Sequence, residues 1–138
     1  MPLPENPPIG KLPFPPPSQF PADFTEFWAL WEEEKFWACH EALEDVWRSE
    51  PSAHRRRFLQ GIIHLAVAVF QHRRGNAIGA SRQMLRARIR LEPFLPVTED
   101  LNVQEMMDGV REEISDSLTV ELEGAAELEQ SIRAKLVG

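Results

Sequence analysis

From Phe58 to Phe70 the chain reads FLQGIIHLAVAVF. On a helix of about 3.6 residues per turn, the apolar side chains of this stretch occupy nearly the whole circumference. A helix that is apolar all round has to be enclosed by others, so this one is central to the fold. It is too short, and too interrupted by Gln60 and His64, to span a bilayer. Yet Gln60, His64 and Gln71 fall in one strip about 40° wide. Polar groups aligned on an enclosed helix need partners. Gly61 and Ala68 border the strip, so a neighbouring backbone or a ligand can approach closely there.

The spacing predicts helices on either side. Phe24, Phe27, Trp28 and Trp31 recur at helical intervals in a first helix near 22–33. Phe36–Ser49 is a second, closed by Pro51. The central helix runs Ser52–Arg74 and ends at Gly75-Asn76. Ala77–Leu91 is a fourth, ended by Pro93 and Pro96. Thr98 or Asn102 caps a fifth, with Val103, Met106, Met107, Val110, Ile114 and Leu118 on one stripe. A last segment near 121–136 carries a weaker stripe. No strand alternation of useful length is evident. The class is all-α: a compact irregular bundle of five to six helices, forming a single domain over 23–138. Residues 1–22 hold nine of the twelve prolines, so they cannot be helical and follow an extended path. With Ile9, Leu12, Phe14 and Phe20 interleaved, they read as an arm packed on the body.

The second helix, FWACHEALEDVW, sets ionisable groups among aromatic ones. His40 falls inside the apolar arc, Glu44 at its margin and Glu41 farther out. Packing that margin against the polar strip of the central helix brings His40, Glu44, Gln60 and His64 together, with Glu41 and Gln71 at the rim. Three readings stay open. A buried hydrogen-bond network would fix the packing and do nothing else. A divalent metal would take His40, Glu44 and His64, with Glu41 as a further ligand or general base. The string HEALE, however, lacks the second histidine of a zinc-protease HExxH. A metal-free pocket of His40, Glu41, Glu44, Trp47, Gln60 and His64 would hold a small ligand against aromatic walls. Cys39 lies on the apolar arc as an inert core thiol, and as the one cysteine it allows no internal disulfide.

Charge is segregated. Between Pro51 and Leu91 there are nine arginines and no Asp or Glu, although the chain as a whole has a net charge of −7. A basic middle meets acidic flanks, within the fold or across a homodimer. The sharper alternative is an anion site at Arg55, Arg56 and Arg57, where a helix begins. Arg82, Arg86 and Arg90 form one stripe, read as exposed and docking on an acidic helix face. The acidic total and the lack of interleaved aromatics argue against nucleic acid. The opening MPLPENPP has neither a basic nor an apolar region of a signal peptide, and the reading is a cytoplasmic protein without a membrane partner.

FWACHEALEDVW, then FLQGIIHLAVAVFQHRRGN, then GA at 79–80 together resemble the helical domain-of-unknown-function 309 family, over roughly Phe24 to Leu91. The family pattern carries over onto His40, Glu41, Leu43, Glu44 and Trp47, then Gln60, Gly61, Ala66 and Gly75-Asn76. His64 stands where the resemblance implies another polar residue such as glutamine. The resemblance implies a small helical bundle and brings no activity with it.

Overall fold

A computed structural model describes residues 12–137. Six α-helices follow in order: α1 Thr25–Glu32, α2 Phe36–Ser49, α3 Ala53–Arg73, α4 Ala77–Leu91, α5 Val103–Glu113 and α6 Ala125–Val137. The all-α expectation holds, and α2 and α4 have the predicted limits.

Helix α3 is the axis of the molecule. Phe58, Leu59, Ile62, Leu65, Ala66, Ala68 and Val69 are all buried along it. It forms an antiparallel hairpin with α4, turning at Gly75, whose φ of +84° suits the left-handed position after a helix. Three side-chain caps define helix starts. Ser52 accepts from the Arg55 amide, Asn76 from Gly79 and Asn102 from Glu105. Asn102, not Thr98, therefore begins α5. Gly61 does permit a close approach, but the visitor is Leu91 of α4. A Cβ at position 61 would lie 2.5 Å from the Leu91 side chain.

Helix α2 lays Phe36, Cys39 and Leu43 into the core. Alongside it, Phe24, Phe27, Trp28, Trp31 and Phe36 form a continuous aromatic cluster with centroid spacings of 4.8–6.4 Å. Of the expected arm, residues 1–11 lie outside the described residues. Within the rest, Phe14 is buried and its carbonyl accepts the Trp31 indole N–H at 2.8 Å.

Three details differ from expectation. The first helix begins as a 3-10 turn, Ala22–Phe24. The fifth stops at Glu113, and Leu118 reaches the core from a separate 3-10 turn, Ser117–Thr119. A two-stranded hairpin, β1 Val97–Thr98 with β2 Leu101–Asn102, precedes α5. At two residues per strand it leaves no alternation to read. Its turn holds Glu99 and Asp100 at φ of 51° and 65°. Both are costly for non-glycine residues, and Glu99 is fixed from outside by Arg55. Among the described residues, no helix is long and apolar enough to cross a membrane.

Candidate functional site

The ionisable groups of α2 are satisfied mostly on their own helix. His40 donates from Nδ1 to the Trp37 carbonyl at 2.6 Å. Its Nε2 faces Glu44 Oε2 at 3.6 Å, a contact that becomes an ion pair only when the ring is protonated. Glu44 also accepts from Arg48 one turn on. Glu41 is exposed. Trp47 is half-buried beneath the Arg56 guanidinium, 5.2 Å from its ring centroid.

His64 turns the other way, toward α4. Its Nδ1–H donates to Gln83 Oε1 at 2.6 Å, and its Nε2 is buried without a hydrogen-bond partner. Burial pushes its pKa down to about 4. The Gln83 bond opposes that shift, whereas the charges of Arg90, Arg86 and His40 reinforce it. His40 and His64 are therefore within electrostatic reach of each other. Gln60 lies half-buried on the same strip of α3 as His64, while Gln71 accepts from Asn76 at 3.0 Å. Helix α3 thus carries Gln60 and His64 between α2 and α4, both of which pack against it.

No hydrogen bond joins the four residues expected to meet, His40, Glu44, Gln60 and His64: those of His40 and Glu44 stay on α2, and that of His64 goes to α4. The three-residue metal set is corrected with it. Among the described residues, no group of three or more His, Cys, Asp or Glu side chains could hold a metal ion. A cation beside His64 would also face Arg86 and Arg90. The α4 contribution was missed because Arg82, Arg86 and Arg90 read as a solvated stripe. Arg82 is exposed, Arg86 is half-buried and Arg90 is only 7% exposed. Arg90 Nε has no partner, and burial followed by the Arg86 charge pulls its pKa down. None of these three arginines forms an ion pair with a carboxylate among the described residues.

The arginines that open α3 have other duties. Arg55 gathers Asp23 at 2.7 Å, Glu50 at 3.0 Å and Glu99 at 2.9 Å. Arg57 donates to the carbonyls of Ile89 and Arg90, closing the end of α4. The donors of Arg55 and Arg57 are already engaged, and of the three arginines expected to hold an anion only Arg56, exposed over Trp47, has none committed among the described residues. Replacing Arg55 with Met should destabilise the fold by about 2 kcal/mol, since three carboxylates lose charge-assisted bonds. The Glu50 carboxyl is held below its usual range by the Ser52 amide, then by Arg55. Stability from such a group is complete above the unfolded pKa and is lost as pH falls through the folded one. The Arg55→Met penalty, read from urea midpoints, should therefore shrink on acidification.

Two other polar groups are structural. Cys39 donates to the Phe27 carbonyl, and burial, with the Glu33 charge second, pushes its thiol up to about 12. His72 bonds buried Ser117 at 2.7 Å and tethers the 3-10 turn to α3.

Residues 24–83 match the family described as Domain of unknown function (DUF309). A curated relative, the uncharacterized protein YpuF of Bacillus subtilis (strain 168), is 38% identical over 84 residues. That alignment covers 57% of this chain and 48% of YpuF, so the chain spans about half the length of its relative. No solved structure matches.

Proposed function

We propose that this chain, whose residues 24–83 match the DUF309 family, binds a small anionic ligand between α2 and α4, in a furrow over α3. His64 and Gln60 form the floor, Arg86 and Arg90 the basic bank, and His40, Glu44 and Trp47 the opposite bank, with Glu41 at the outer edge. The observation that carries the reading is the unmet valence of His64: a buried Nε2 with no partner, beside guanidinium groups with no carboxylate. With Nδ1–H committed to Gln83, Nε2 of the neutral ring is an acceptor. It meets an anion only after taking up a proton, or when the anion brings one. The arginines attract the negative group, and that group lowers the cost of protonating the ring.

Sulfate is a suitable probe because it carries no titrating proton over the relevant range. Its affinity, measured by calorimetry, should be about a hundredfold higher at pH 5.5 than at pH 7.5, one proton being bound with the ion. His64→Gln should abolish that pH dependence, and Arg86→Met should weaken binding at both values. Equal affinity at the two pH values, or no binding, sinks the proposal.

A second reading rests on the same unpaired arginines. As an interaction module, α4 would present Arg82, Arg86 and Arg90 to the acidic face of a second copy, and the furrow groups would only order the packing. Sedimentation then shows a dimer that dissociates as salt rises, with no effect of sulfate beyond ionic strength.

A further inference from the structure

Where the start of α2 passes the end of α3, the surface opens into a cleft of about 450 Å³. Phe36, Trp37 and Phe70 supply aromatic walls; Lys35, Arg73 and Arg74 supply positive charge. Trp37 is 45% exposed, although its ring packs on His40 and Phe70 with centroids 4.2 and 4.9 Å apart. An indole left half in water beside a second ring is an unfinished aromatic stack.

The cations differ in what they have left to give. Arg73 lies 4.8 Å over the Phe36 ring and is satisfied by Glu34 and Glu113, so it acts as a wall. Arg74 is exposed and lies 5.5 Å over the Phe70 ring, with no carboxylate partner among the described residues. Lys35 has only an open surface pair with Glu33, which is worth little. The backbone adds to this. Helix α2 begins at Phe36 with no side-chain cap and no acidic residue in its first turn. Phe36, Trp37 and Ala38, whose amides lack an intrahelical acceptor, are all cleft residues. The end of α3 is closed by the amides of Arg74, Gly75 and Asn76, so its carbonyls oppose an anion less.

From these groups we infer a second site, separate from the furrow, for a flat aromatic molecule carrying a carboxylate or phosphate. Its ring stacks on Trp37 and Phe70. Its anion reaches Arg74, Lys35 and the first turn of α2. An aliphatic acid lacks the ring, and an inorganic anion lacks the stacking energy, so both bind more weakly.

The test uses the full chain and the four indole N–H resonances in a nitrogen-15 correlation spectrum. Adenosine 5′-monophosphate and 1-naphthoate are the probes; inorganic phosphate and cyclohexanecarboxylate are the half-ligands. The Trp37 indole signal should move with either probe and barely with the half-ligands. Trp37→Ala should weaken binding by about tenfold. Arg74→Ala should weaken it several-fold and flatten its salt dependence. Arg74 is exposed, so Arg74→Ala leaves melting unchanged, and His64→Gln leaves this site intact whatever happens in the furrow. The inference is overturned if neither probe moves the Trp37 signal at millimolar concentration. It is equally overturned if Trp37→Ala binds as the parent does, or if cyclohexanecarboxylate matches 1-naphthoate.

Discussion

Acidification from pH 7 to 4 is expected to remove about 3 kcal/mol of stability through His64 alone. The ring is buried between α3 and α4, and its folded pKa is pushed down to about 4 from an unfolded value near 6.5. Between those values the unfolded chain holds a proton that the folded chain does not. Stability therefore rises with pH across the window, is complete above the unfolded pKa, and is lost as pH falls toward the folded one. Burial is the main cause, and charged groups add to it from two sides, His40 from α2 and Arg86 and Arg90 from α4, while the Gln83 bond opposes the shift. His64→Gln keeps a donor for Gln83 and removes the titration. Urea midpoints taken from pH 7 to 4.5, before most carboxylates protonate, should fall steeply in the parent and stay nearly level in the variant. Parallel curves would show that His64 is protonated in the folded state at no cost. An anion held at Arg86 and Arg90 should flatten the parent curve, because it stabilises the protonated ring.

The same residue shows how far the sequence could be read. Helical periodicity placed His64, Gln60 and Gln71 on one strip because that depends only on the rotation per residue along one helix. Which neighbour the strip faces depends on packing between helices, and there the reading chose α2 alone. The missing bank was α4. Its arginine stripe was legible as a stripe, but its burial was not. Arginine can lie along apolar surface on its methylene stem, so composition says little about the depth of Arg90. The charge-segregated middle resolved in the plainer direction at Arg55, Arg73 and Arg88, each of which meets an acid from outside the basic span. Those contacts join residues far apart in the chain, and no local pattern announces them. The limits of α2 and α4 were legible because proline and capping residues act within a turn. The hairpin turn was hidden because Glu99 and Asp100 stand where glycine or asparagine would give the usual signal.

Gly109→Ala should destabilise the whole chain by about 3 kcal/mol and should change sign once the segment packed over it is removed. Inside a helix, alanine is favoured over glycine by about 1 kcal/mol, and Gly109 lies within α5. A Cβ there would stand 2.0 Å from the Pro13 carbonyl oxygen, a separation no atom pair tolerates. The obstacle is backbone and cannot rotate aside, so residues around Pro13 must lift. Lifting exposes Phe14, now 6% exposed, at a cost of about 2 kcal/mol. It also strips the buried Trp31 indole of its acceptor, costing a further 1–3 kcal/mol or so. Both penalties belong to the N-terminal segment, and the helix gain belongs to α5. In a chain beginning at Pro15, the penalties are already incurred and only the gain remains. Alanine should then raise the melting temperature of the shortened chain while lowering that of the full one, a non-additivity diagnostic of direct contact. If alanine destabilises both chains alike, the tight contact lies inside the bundle. If it destabilises neither, the segment does not pack on α5 in solution.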